Sequence, residues 1–228
     1  MRSIFKNKLW LISAPRYAVL YFILSVLAAG IFYVNGEYSI KNNFLSQLGQ
    51  LYVFKELNII SFLIFNLSLI IMGLILVMFY LNFFHLLKLE FKNSFVLKLL
   101  LFFGVTSGFC FSGVGLFPTD IAFKLHIFFA DSAFYSLLVV SVIQTYMTFK
   151  SNILSNQYSL GYLTFCIFLA FYVRLLIFGG DPSIGMPEGY YQSNHVVSQK
   201  LIVITILIAT LHQTFGIKKY LNNNEINF

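Results

Sequence analysis

Charge is what this chain of 228 residues has least of: only 10% of it is Asp, Glu, Lys or Arg. That scarcity excludes a disordered or heavily solvated protein, because such chains are rich in charge and poor in apolar residues. Cysteine is nearly absent as well. Cys110 and Cys166, the two present, fall inside apolar runs. They form neither a disulfide framework nor a zinc-binding pattern and read as small buried hydrophobes. No polar stretch is long enough for a soluble domain. The chain also lacks Gly-x-Ser-x-Gly, His-Glu-x-x-His and a glycine-rich phosphate loop, so no familiar nucleophile, metalloprotease or nucleotide-binding constellation is legible. No internal repeat is visible, which gives no support to a transporter-like inverted duplication.

What the chain has instead is apolar sequence. It is 59% hydrophobic with a mean hydropathy of +0.82, the profile of an integral membrane protein. The net charge of +7 would suggest nucleic acid in a soluble protein. Here most basic residues flank apolar runs, where they set membrane orientation, and nucleic acid is not an expected partner.

About 20 apolar residues are needed to cross the hydrocarbon core as a helix. Six segments qualify: 17–35, 59–81, 95–117, 121–149, 158–178 and 197–216. Backbone groups cannot go unpaired in lipid, and these runs are too continuous for barrel strands. The expectation is an all-α, polytopic bundle of six transmembrane helices forming one membrane domain over 1–228. The N-terminal stretch is basic, but the apolar run after it is too long for a signal peptide and reads as an uncleaved first span. Ten of the fifteen Lys and Arg lie at the N-terminus, after spans two and four, and in the C-terminal tail. The positive-inside rule then puts both termini in the cytoplasm of a multi-pass cell-membrane protein.

The third span contains Gly104, Gly108 and Ser112, a small-residue stripe that suits close helix packing within the bundle more than a homodimer seam. The remaining polar groups gather toward the outer side. At about 1.5 Å per residue, His126 lies roughly 7 Å and Asp131 roughly 15 Å into span four, with Asn66 at about 10 Å on span two. Arg174 and Lys200 sit near the outer ends of spans five and six, and the outer loops add Glu37, Ser46, Asp181, Glu188 and His195. The inner half holds mainly Gln144, Thr145 and His212, with His85 at the boundary. A charge at the bilayer centre costs about 2.5–3.5 kcal/mol on insertion scales. Asp120, Lys124 and Asp131 share one helical stripe, so the expectation is an outward-opening polar pocket walled by them. His126 points elsewhere, beside Ala130 and Ala133. Arg174 or Lys200 is the expected partner of Asp131, unless their long side chains snorkel to the headgroups.

Loop one carries "NNFLSQLGQLYVFKELN", in which Asn43 could cap and Gly49 end a short interfacial helix over the bundle mouth. Loop five, "GGDPSIGMPEGYYQSNH", is rich in Gly and Pro and could form a lid.

Three segments in order, "NNFLSQLG", "FNLSLIIMG" and "GVGLFPTDIAFKLH", resemble the bacterial and archaeal family called domain of unknown function 998. The positions that carry the resemblance are Ser46, Leu48, Gly49, Phe65, Asn66, Gly115, Pro118 and His126. Gln47 stands where that pattern usually has an acid. The family is distantly similar to eukaryotic membrane proteins of glycolipid-anchor remodelling and autophagy, which implies lipid handling by analogy alone.

The residues thus point first to a protein that binds or handles a lipid or amphiphile, with Ser46, Asn66, Asp120, Lys124, His126, Asp131 and Arg174 as ligand-binding candidates and membrane lipids as partners. Lys or Arg would hold a phosphate headgroup, and Asp131 or His126 would move a proton. A proton-coupled carrier, a structural subunit and a b-type haem protein are the alternatives. Haem would use His126 with His195, or His85 with His212. No metal site and no other cofactor is expected.

Overall fold

The structure is a computed structural model and describes residues 8–34 and 38–223. Glu37 and the end of the expected first span, Asn35, lie outside the described residues, as do Arg2 and Lys6. Among the described residues, six helices are long and apolar enough to cross a membrane. They are α1 (Leu9–Ile31), α2 (Ile59–Leu87), α3 (Phe95–Leu116), α4 (Phe123–Lys150), α5 (Ser159–Phe178) and α6 (Ser193–Asn223). The architecture is that of a multi-pass integral membrane protein.

Several helices outrun their apolar segments. A helix continues past its apolar stretch until a breaker stops it, and α2 and α6 carry His85 and the 217–223 segment beyond the expected ends. The first turn of α1, Leu9–Ser13, is π-wound, with the Ala14 N–H donating to the Leu9 carbonyl five residues back. Pro15 follows at once and has no N–H to extend an α pattern backwards, which explains the loosened turn. At the start of α3, the Ser94 hydroxyl caps the Leu97 N–H at 3.3 Å.

Each helix packs against the next in sequence, and α6 returns to α1, closing a ring. Short antiparallel connections dictate this order. The ring has two ends. The mouth carries the loops after α1, α3 and α5; the base carries the loops after α2 and α4 and the C-terminal end of α6. The tightest seam is α2–α3. A Cβ on Gly73 would stand 2.4 Å from the Gly108 carbonyl oxygen, and Ser112 Oγ donates to Ile70 O at 3.1 Å. The small-residue stripe of α3 therefore serves packing inside the bundle. The ring's outside bears large exposed apolar side chains, among them Leu27, Phe102, Phe128 and Phe171, as a lipid-facing surface requires.

At the base, Glu90 ties two loops together. Its Oε2 accepts the Ser151 hydroxyl at 2.7 Å, and its Oε1 accepts the Asn152 backbone and side-chain N–H groups at 2.7 and 2.6 Å. Burial pushes this carboxyl up, but the hydrogen bonds outweigh it and hold the group below its ordinary value. A carboxylate with a depressed folded pKa adds stability that is complete above its unfolded pKa and is lost as pH falls through the folded one. The wild type should melt above Glu90→Gln at neutral pH, and the gap should close below about pH 4.3. A gap that persists in acid would show that the carboxylate's charge contributes nothing.

Candidate functional site

Loop one does not lie across the mouth; it enters it. Leu45–Gly49 form one 3-10 turn whose Gln47, Leu48 and Gly49 are buried. Gly49 ends the turn as expected, but the cap is supplied by Gln47, whose Oε1 accepts the Phe44 N–H at 2.8 Å. The turn is seated on the first turns of α2. The Leu48 carbonyl accepts the Ser61 hydroxyl at 2.8 Å, and the Gly49 carbonyl accepts Asn66 Nδ2 at 2.8 Å. Asn66 lies seven residues into α2, so the plug reaches about 10 Å down that helix. Irregular backbone survives at such depth because protein partners satisfy it. No side chain fits at Gly49: a Cβ there would stand 2.5 Å from Asn66 Oδ1 and 2.9 Å from Phe65. A Cβ on Gly115 would stand 2.6 Å from the Asn66 carbonyl. Five of the motif residues, Leu48, Gly49, Phe65, Asn66 and Gly115, thus meet in one cluster.

A second layer locks the plug from above. Asn43 Nδ2 and Gln47 Nε2 both donate to the Gly189 carbonyl of loop five, at 2.7 and 2.8 Å. Asn42 pairs with the Tyr191 backbone in both directions, at 2.9 and 3.0 Å. Lys200 Nζ donates to the Ile40 and Asn43 carbonyls at 2.6 and 2.5 Å. Loop one then turns through a two-residue hairpin, Tyr52–Val53 against Glu56–Leu57, with Phe54 and Lys55 at positive φ. Asp120 fastens it, its Oδ2 accepting the Leu51 and Tyr52 N–H groups at 3.0 and 2.9 Å.

Beneath the plug, the ring surrounds a partly open cavity of about 140 Å³ lined by residues of all six helices. Its α4 wall is His126, Ala130, Ala133, Phe134 and Leu137, one stripe at helical spacing. Ala18 on α1 faces it, and these alanines leave the space that larger side chains would fill. From His126 to Leu137 the slot runs about 16 Å. Polar groups stand at its two ends: Ser46, His126 and Gln199 toward the mouth, Tyr162 and Thr210 toward the base. No lining side chain is an Asp, Glu, Lys or Arg. His126 Nδ1 is 2.8 Å from the Phe117 carbonyl, and Gln199 Oε1 accepts the Leu45 N–H at 3.0 Å. Behind the floor, the Tyr80 hydroxyl donates to Gln144 Oε1 at 3.1 Å, and Tyr162 shares hydrogen bonds with Tyr80, Thr210 and Gln144. The base is therefore closed by a polar girdle from α2, α4, α5 and α6. Arg16 adds a bond to Thr214 Oγ1 at 2.8 Å.

Of the seven candidates read from the sequence, Ser46 and His126 reach the cavity. Asn66 sits one layer behind, holding the plug. Asp120 is exposed and engaged by the hairpin, and Lys124 and Arg174 are exposed. Asp131 is half-buried, within electrostatic reach of Tyr135 and Tyr172, and is absent from the lining. It forms no ion pair with Arg174 or Lys200 among the described residues. Lys200 gives two hydrogen bonds to loop-one carbonyls instead of snorkelling. The stripe that faces inward is thus the His126–Ala130–Ala133 one, and the pocket is apolar with polar ends. The sequence reading passed over Gln199, Tyr162 and Thr210, and it gave Asn43 a capping role and Gln47 none in holding loop five. Gln199, Val203, Ile206 and Thr210 did share a helical stripe that could have signalled the α6 wall.

His126 alone among the four histidines lines the cavity. His195 is buried against Gly179, His85 is exposed and His212 lies tilted against Tyr158, ring centroids 4.9 Å apart. Among the described residues, no group of three or more His, Cys, Asp or Glu is placed to hold a metal ion. The chain matches no family model, no curated protein and no solved structure.

Proposed function

We propose that this protein binds an amphiphile or small apolar molecule in the central cavity, at the outer side of the cell membrane. One observation carries the reading: a closed ring of six helices surrounds a slot that is apolar along its length and polar only at its ends. An apolar cavity of about 150 Å³ stays dry and takes a molecule the size of benzene. A slot of about 140 Å³ accordingly suits one alkyl chain or one ring, and a two-chain lipid is too large for it. The mouth faces outward in this proposal because, among the described residues, eight basic side chains (Lys8, Arg16, Lys88, Lys92, Lys98, Lys150, Lys218 and Lys219) flank the base-end helix termini and loops. Kinship with the family of domain of unknown function 998 belongs to the same proposal. It is supported by the motif residues meeting at the plug, which gives them a shared structural role. A carrier is the second reading, favoured by the buried Tyr80–Gln144–Tyr162–Thr210 girdle lying where a path through the base would continue.

Filling the slot tests the proposal. Displacement of an environment-sensitive alkyl fluorophore should be at least tenfold weaker for Ala133→Leu, a change of about 1.4 kcal/mol. Gly30→Ala, where an added Cβ meets nothing within 4 Å, should bind as the wild type does. Equal binding by Ala133→Leu and wild type would place the fluorophore outside the cavity.

A further inference from the structure

We infer that His126 selects the head of the ligand: the cavity takes a neutral amphiphile whose hydroxyl donates a hydrogen bond to His126 Nε2. The inference rests on the amphiphile reading and goes further by naming the head group. A carbonyl oxygen only accepts, so the 2.8 Å contact between His126 Nδ1 and the Phe117 carbonyl puts the proton on Nδ1. In the uncharged ring, Nε2 is then a lone-pair acceptor with a fixed direction. It has no hydrogen-bond partner among the described residues. The ring is 5% exposed and lines the cavity, and its Nδ1 edge is turned to Phe117. The Nε2 edge is what it offers the slot.

The surroundings decide against a charged head. A phosphate would need a cation, and Lys or Arg does not occur in the lining. Lys200, the nearest candidate on α6, already gives hydrogen bonds to the Ile40 and Asn43 carbonyls. Lys124 and Arg174 are exposed. An ammonium head would need a carboxylate. Asp120 lies within electrostatic reach of His126, but it is exposed and off the lining and its Oδ2 is held by the Leu51 and Tyr52 amides, and Asp131 is off the lining as well. What remains at the mouth end is an imidazole acceptor, the Ser46 hydroxyl and the Gln199 amide. A donor head satisfies the imidazole, whereas an ether or ester head would leave an acceptor facing an acceptor.

The test uses full-length protein in phosphatidylcholine nanodiscs, with nitrogen-15-labelled histidine and three six-carbon ligands matched to the cavity volume. Hexanol should displace the fluorophore about three- to tenfold more tightly than hexyl methyl ether, the range expected of one net hydrogen bond. Hexyl phosphate should bind more weakly than hexanol. The His126 Nε2 resonance should move with hexanol and stay with the ether. His126→Asn can keep a donor toward Phe117 while losing the acceptor, so it should bind both neutral ligands alike. His126→Gln can restore an acceptor near Nε2 and should recover part of the preference. Equal binding of alcohol and ether, tightest binding of the phosphate, or a preference intact in His126→Asn would each overturn the assignment and leave the amphiphile reading standing. If no ligand displaces the fluorophore, both fall.

Discussion

Gly73→Leu should cost more than about 3 kcal/mol, beyond the usual range for overpacking. The usual range assumes that neighbouring side chains can shift. Here the obstacles include backbone: a Cβ at residue 73 would stand 2.4 Å from the Gly108 carbonyl oxygen and 2.7 Å from the Ser112 nitrogen. The converse holds at Gly108, where a Cβ would stand 2.7 Å from the Gly73 carbonyl oxygen. The helices would have to part, and the Ser112–Ile70 bond would go with the contact. In membranes such close approach is itself a source of association, because lipid offers no hydrophobic drive between helices. Melting in detergent, followed by size-exclusion profile, checks this. Gly73→Leu should yield aggregated or unfolded protein while Gly30→Ala melts with the wild type. A monodisperse Gly73→Leu with an unchanged melting temperature would contradict the α2–α3 crossing.

The second large effect is expected at the plug. Gln47→Leu removes both halves of a buried amide at once: the acceptor for Phe44 N–H and the donor to the Gly189 carbonyl. The stranded Phe44 N–H costs about 1–3 kcal/mol, and the Gly189 carbonyl is left with one of its two donors. Asn43 still holds Gly189 and Lys200 still holds the Ile40 and Asn43 carbonyls, so the bundle should survive while the plug loosens. The readout is access. A cysteine at Ser46, in a background where Cys110 and Cys166 are alanine, should react with a water-soluble maleimide at least tenfold faster when Gln47 is leucine. A rate unchanged by Gln47→Leu would mean that loop five does not hold loop one in place.

The six helices were legible because each apolar run is long and unbroken, and because connections such as Lys88–Ser94 are too short to permit anything but neighbouring antiparallel packing. Their ends were less legible. Nothing in the residue pattern stops α6 before Asn223, and Pro15 is tolerated inside α1 because it stands where the π-wound first turn passes into α winding. Loop one was half legible. Its helical rhythm and terminal Gly49 were visible, but not that the Ser61 hydroxyl and Asn66 amide of α2 would draw its carbonyls inward. The site was least legible, for a physical reason. Helix α4 carries polar residues on two stripes, and charge alone does not say which faces in. Asp120 and Asp131 suggested one wall. The alanines at 130 and 133 decide for the other, since a void forms where side chains are small and the ring wall is complete around it.

The central claim is that the slot beneath the plug holds one apolar chain or ring. Native mass spectrometry of gently solubilised protein addresses it most directly. The account predicts a wild-type species carrying the mass of one small or single-chain neutral molecule, and an Ala133→Leu species without it. A bare protein mass for both, or a two-chain phospholipid retained equally by both, would contradict it.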